Sequence, residues 1–256
     1  VGAGGRMAMK VTGRPDSPRG GSGEARLAVR GLSKAYRKRP VLRQVELVVG
    51  AGEAVAIVGR NGAGKSTFLG CVTGDRLPDR GSVRICGSDP FEDPVAVARC
   101  MGFVPEQPFL YGELTVGETL DFVAEARGMS RDDARAEGDR LLTLLDLPHA
   151  APLVCRELSQ GMGRKVALTV ALLHRPLLIV LDEAFNGLDQ GSTRRLAEEL
   201  DRRREAGAAV LMSSHDLAFL AEHCERGLLL APDTTATPLE KGAWEQWAAS
   251  PALDPV

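Results

Sequence analysis

No run of apolar residues in this chain is long enough to cross a bilayer, which takes about 20 residues. The longest candidate, Val166 to Leu181, is interrupted by His174, Arg175 and Pro176. Met7 to Val11 is too short for the apolar core of a secretory signal. The expectation is a protein soluble by itself, held at a membrane only through another chain. Paired cysteines are lacking too. Cys71, Cys86, Cys100, Cys155 and Cys224 are scattered, odd in number and form no C-x-x-C. That argues against a disulfide framework and a structural zinc site, and suits a reducing cytosol. Nor is there an excess of one charge: 32 Lys and Arg face 34 Asp and Glu, a net of −2. Nucleic acid is therefore not expected as the main partner. The basic runs Arg37-Lys38-Arg39 and Arg202-Arg203-Arg204 read as solvated faces.

What is present is an ordinary soluble composition, 44% apolar and 26% charged over 256 residues, enough for one core with an inserted subdomain. Residues 1–24 are rich in Gly, Pro, Ser and Arg and are read as a disordered extension, because they cannot bury enough surface to offset chain entropy. From Arg26 come three β runs, RLAVRGL, VLRQVELVV and EAVAIVG, the last two parted by the turn residues Gly50-Ala51-Gly52. A helix is predicted from about Lys65 and a strand at Ser82 to Cys86. Residues 91–156 read as mainly helical, opened by capping boxes at Thr115 with Glu118 and Ser130 with Asp133. Leu141, Leu142, Leu144, Leu145 and Leu147 supply an apolar helical face. From Ser159 strands and helices alternate, which predicts a parallel sheet covered on both faces. After Pro232 a tail carrying Trp244 and Trp247 is expected to form a short amphipathic helix packed on the core.

Residues 59–67 read GRNGAGKST and fit G-x-x-x-x-G-K-S/T, after a buried-strand run and before a helix. Phosphates bring several negative charges that must be met without bulky side chains. Glycines let successive backbone N–H groups point at the oxygens, and the helix N-terminus adds its partial positive charge. Gly59, Asn61, Gly62, Ala63, Gly64, Lys65, Ser66 and Thr67 are the candidate ATP-binding positions. Lys65 is expected to reach the β- and γ-phosphates and Ser66 to ligand Mg²⁺.

Residues 177–189 read LLIVLDEAFNGLD, a buried strand that delivers Asp182 and Glu183 at its C-terminal end. That edge is where ligands bind in open α/β sheets. An Asp-Glu pair after a strand also serves as a helix N-cap; beside the phosphate loop the chemical role prevails. Asp182 is the expected Mg²⁺ partner, and Glu183 the candidate general base for an attacking water.

Between these two motifs lies LSQGM, Leu158 to Met162, at the start of a helix. It resembles the LSGGQ signature of ATP-binding-cassette (ABC) ATPases, with Ser159 and Gly161 matching and Gln160 and Met162 departing. The resemblance spans residues 26 to about 231. It implies an α/β P-loop NTPase core with a parallel sheet, an N-terminal antiparallel β subdomain and an inserted α-helical subdomain. In domain terms this is an ATPase domain over residues 25–235, its helical part about 91–156, and a tail over 236–256. It also implies that Ser159 and Gly161 meet the ATP of a second nucleotide-binding domain, in a homodimer or heterodimer. Tyr36 resembles the aromatic on which adenine stacks, Asn186 to Asp189 the loop at the dimer seam, with Ala184 and Phe185 in place of the usual Pro-Thr, and His215 the histidine that contacts the γ-phosphate. In the segment that normally offers a glutamine to the metal, Glu106 aligns with that position and Gln107 stands beside it; both are candidates.

The activity that the resemblance implies is Mg-ATP hydrolysis coupled to transport, with an exporter as the best-suited use. The permease would be a separate integral membrane subunit docking on the helical segment, which places the chain on the cytoplasmic face of the membrane. A soluble non-transport ABC ATPase and a nucleotide-gated regulator are the alternatives; the long coiled coils, zinc modules or second cassette usual in the former are not found in this sequence.

Overall fold

The strand β3, Ala54–Val58, is buried at all five positions, as expected of a strand with a covered layer on both faces. It sits inside a six-stranded sheet whose order is β5 (Met101–Val104), β6 (Leu178–Asp182), β7 (Ala209–Ser213), β3, β8 (Arg226–Leu230) and β9 (Ala236–Glu240). The computed structural model describes residues 25–240. Within the sheet, β5, β6, β7, β3 and β8 run parallel, and β9 closes the edge antiparallel to β8. A second, three-stranded antiparallel sheet is ordered β2-β1-β4, from β1 (Ala25–Tyr36), β2 (Arg39–Gly50) and β4 (Arg80–Ile85).

Alternation along the strands divides the core. Val55 and Ile57 of β3 face a cluster shared with Leu27, Val29, Val45 and Val83 of the small sheet and with Phe68, Leu69 and Val72 of α1 (Lys65–Thr73). Ala54, Ala56 and Val58 face the opposite cluster, built with Leu168 and Leu172 of α5 (Gln160–Leu172) and Leu196 and Leu200 of α6 (Gln190–Glu205). The other helices are α2 (Pro94–Cys100), α3 (Val116–Arg127), α4 (Arg131–Leu144) and α7 (Leu217–His223).

A third cluster joins Val116, Leu120 and Ala124 of α3 to Leu142 of α4 and Val166 of α5. Leu141 and Leu145 belong instead to the sheet-facing cluster. Thus α4 and α5 each bury one face in the helical layer and one in the sheet layer. Thr115 caps α3 with a full reciprocal box, Thr115 Oγ1 accepting from Glu118 N and Glu118 Oε2 from Thr115 N; Thr115→Ala would cost about 1 kcal/mol. At Ser130 only half the box forms: its hydroxyl accepts from Asp133 N and donates to the Asp133 carboxylate.

Several expectations are corrected. Residues 91–156 are not one helical segment, because β5 lies inside them as a strand of the main sheet. The ATPase core does not end at 235, since β9 completes that sheet as far as Glu240. The run Arg202-Arg203-Arg204 is not a solvated face: Arg203 is 5% exposed, its guanidinium held by Glu137 and Glu199. The expectations for residues 1–24 and for the tail with Trp244 and Trp247 lie outside the described residues.

Candidate functional site

At the C-terminal ends of β3 and β6 lies a cleft of about 400 Å³. Tyr36, Asn61, Gly62, Gly64, Lys65, Ser66, Thr67, Glu106, Asp182, Glu183 and His215 all line it, with Val41 and Arg60. Residues separated by up to 179 positions therefore meet at one place, because parallel strands all present the same end to one side.

The loop after β3 turns into α1 through Gly64, which caps the helix at φ 100° and ψ 10°. Only glycine holds that conformation without strain. Lys65 opens α1, and its Nζ donates to the Gly59 carbonyl at 2.7 Å, folded back over the loop. Burial lowers the Lys65 pKa, opposed by the nearby carboxylates of Glu183, Asp182 and Glu106. Two of the predicted positions lie beneath the cleft rather than in its lining. Gly59 takes the lysine, and Ala63 is 2% exposed with its N–H already given to the Arg60 carbonyl at 3.1 Å.

β6 ends in the carboxylates. Asp182 accepts from Ser213 Oγ of β7 at 2.6 Å. Glu183, 4% exposed, adopts φ 50°, a left-handed backbone that costs a non-glycine residue about 1–3 kcal/mol. Three elements hold it there. Its N–H donates to Ser213 Oγ at 3.0 Å, its carbonyl accepts from Arg164 of α5 at 2.8 Å, and its Oε2 accepts from Asn186 Nδ2 and from His215 N, both at 3.2 Å. Glu183 Oε1 is buried without a hydrogen-bond partner, although His215 Nε2 lies 3.3 Å away outside hydrogen-bond geometry. A buried carboxylate oxygen left unbonded is costly in a finished interior and points to a ligand.

Glu106 lines this cleft and also an adjoining pocket that Gln107, Ser66 and Asp182 border. Gln107 lines only the second. Tyr36, at the end of β1, is 43% exposed at the rim rather than packed in the core, its hydroxyl accepting from Arg76.

Ser159 and Gly161 are not part of the lining. Ser159 caps α5, accepting from Met162 N at 3.3 Å. A Cβ at Gly161 would lie 3.4 Å from the Gly187 carbonyl, so the first turn of α5 touches the loop after β6, and Lys165 is ion-paired with Asp189 at 2.8 Å. Residue-level reading of the sequence missed Arg164, whose guanidinium bridges the Glu183 and Glu106 carbonyls; nothing in its local pattern marks it.

A glycine-rich loop after β3 feeding a helix, with two carboxylates at the end of β6 on the far side of β7 in the same parallel sheet, defines a P-loop nucleotide-hydrolysing protein. Comparison narrows the class. Residues 42–186 match the family described as "ABC transporter". The ABC-type transporter ATP-binding protein EcsA of Bacillus subtilis (strain 168) is 34% identical, over 80% of this chain and 83% of that one. The SkfA peptide export ATP-binding protein SkfE of the same organism is 33% identical, over 80% and 84%. A solved structure titled "Structure of ATP binding subunit of ABC transporter" superposes with a TM-score of 0.80 at 33% identity, covering 87% of this chain and 93% of the other. This chain belongs to the family of ABC transporter ATP-binding proteins, and is an ATPase subunit that binds and hydrolyses ATP.

Proposed function

We propose that this chain drives a membrane exporter whose membrane-spanning part is a separate polypeptide, and that it works as one half of a head-to-tail pair of nucleotide domains. The carrying observation is the gathering of Lys65, Ser66, Asp182, Glu183 and His215 on one cleft while Ser159 and Gly161 lie outside it. Such a division suits a site completed by a second domain. Export follows one relative, which is named for peptide export. No helix among the described residues is long and apolar enough to span a membrane, so the working place at the cytoplasmic face would depend on the permease. A solvent-facing aromatic stack suits that contact: Phe109 is 78% exposed and meets Tyr111 edge-on at 5.3 Å, and Tyr111 meets Phe122 at 6.0 Å.

Within the cleft the roles divide by chemistry. Tyr36 stacks on adenine, an interaction worth roughly 1–3 kcal/mol in other base-binding proteins. Backbone N–H groups of Asn61, Gly62, Gly64, Ser66 and Thr67 face the phosphates, and Lys65 exchanges the Gly59 carbonyl for phosphate oxygens. Three carboxylates, Glu106, Asp182 and Glu183, face two cations, Arg60 and Lys65, in the lining. A cleft of that charge needs a divalent ion before it admits a polyphosphate. Magnesium suits such a lining, since it is commonly held by one or two carboxylates and the substrate phosphates. Ser66, Asp182 and Glu106 would hold it, with Gln107 beside them, and the ion would supply positive charge against the phosphates.

Glu183 orients the attacking water through Oε1 and takes its proton, while His215 faces the γ-phosphate. Ser159 and Gly161 meet the nucleotide of the partner domain at the start of α5, where a helix N-terminus favours anions. Glu183→Gln tests the reading: the variant keeps ATP affinity, loses nearly all turnover and elutes as a nucleotide-bound dimer in size-exclusion chromatography. Wild-type turnover in that variant would contradict it.

A further inference from the structure

Arg164 is buried at 8% exposure, on the first turns of α5, five residues after the capping Ser159. Its Nη1 donates to the Glu183 carbonyl at 2.8 Å and its Nη2 to the Glu106 carbonyl at 2.7 Å. Both bonds go to backbone oxygens rather than to a carboxylate. A buried cation satisfied in this way adds little net stability, because desolvation offsets most of the gain. What the planar fork does secure is geometry, since its two donors fix two acceptors at a set separation.

The acceptors matter. Glu183 sits at φ 50°, a conformation that persists only while its surroundings hold it. β7 holds its N–H through Ser213, and Arg164 holds its carbonyl. Glu106 lines the same cleft from just past the end of β5, the strand paired with β6. One guanidinium thus ties the helix that Ser159 caps to the backbone of two of the three acidic residues of the chain's own cleft.

We infer that Arg164 is a positioning residue that relays the seating of the Ser159–Gly161 end of α5 to Glu183 and Glu106. The inference rests on the two-domain reading above. In that arrangement α5 meets the partner's nucleotide, while Glu183 and Glu106 serve the chain's own. A shift of α5 therefore moves the carbonyls that set the water-orienting carboxylate, and engagement at one nucleotide adjusts chemistry at the other. Misplacement of a reacting group by about 1 Å costs on the order of a hundredfold in rate, so a small helix movement is enough.

The test compares the purified wild-type chain with Arg164→Met and Arg164→Lys. Mg-ATP affinity is read by titration calorimetry, kcat, KM and the Hill coefficient by steady-state turnover, and the fold by thermal melting. For Arg164→Met the expected result is a kcat lower by about tenfold to a hundredfold, with affinity and KM within about threefold and a Hill coefficient falling towards 1. Arg164→Lys, which keeps the charge and several donors but not the fork, recovers part of the rate. The inference is overturned by a kcat in Arg164→Met within about twofold of wild type, by a rate loss that merely tracks the unfolded fraction, or by loss of fold in both variants. The wild type separates the two levels of the account. Absence of magnesium-dependent turnover there sinks the functional reading and this inference together, whereas a normal wild type beside an unimpaired Arg164→Met sinks only the role of Arg164.

Discussion

His215 Nε2 stands 3.3 Å from Glu183 Oε1, and the His215 N–H donates to the other oxygen of the same carboxylate. One residue of the loop after β7 thus holds the acid by its backbone and faces it with its ring. Backbone donation survives substitution, so His215→Ala separates the two contributions. It should keep ATP affinity and lower kcat by about a hundredfold. A rate unchanged in steady-state assays would remove the imidazole from the chemistry.

The aromatic stack makes a prediction away from the cleft. Phe109→Ser with Phe122→Ser removes exposed apolar area and two edge-on contacts. ATP turnover of the purified chain should stay within about twofold, since neither ring lines the cleft. Recovery with the membrane fraction, when the membrane subunit is co-expressed, should fall sharply. Undiminished recovery would place docking elsewhere.

Acid stability has two limbs. Burial and the charge of Arg127 push His174 down to about 4, with a hydrogen bond to the Met101 carbonyl opposing them. The unfolded imidazole takes its proton near 6.5, so between those pH values the unfolded chain binds more protons and stability falls as pH falls. For Glu199, burial is the largest influence and acts upward, but hydrogen bonds from Arg202, Arg140 and Arg203 together outweigh it and bring the carboxyl to about 2. That contribution is complete above about 4.5 and is lost as pH drops towards 2. Melting temperature against pH should therefore decline in two stages. His174→Leu flattens the upper stage and Glu199→Gln reduces the lower one. Unaltered slopes in both variants would contradict the assignment.

Much of this architecture is legible in the sequence, and the exceptions share a cause. Lys65, Asp182 and Glu183 are marked by local patterns, a loop before a helix and an apolar strand before acids, and these patterns do locate them together at one sheet edge. The sheet edge strands are harder. β5 is four residues long, too short for a period to show, and Gly102 inside it reads as a breaker. Its true reason is spatial: a Cβ there would lie 2.1 Å from the Ala171 carbonyl of α5. β9 carries Pro238 and reads as tail, yet an edge strand tolerates proline.

Charge misled for the same reason. Three consecutive arginines look like a solvated face, but Arg203 points inward because Glu137, 66 positions earlier, is buried opposite it. Arg164 belongs to this group. Its two partners are backbone carbonyls 58 and 19 positions away, and no side-chain pattern advertises a carbonyl.

Titration calorimetry of the purified chain reads whether the loop around Lys65 holds ATP with magnesium. ATP should bind with magnesium present, weaken markedly when the metal is chelated, and lose about tenfold to a hundredfold in affinity in Lys65→Ala. Binding that ignores both magnesium and Lys65, or no binding at all, would rule out a nucleotide site at this loop.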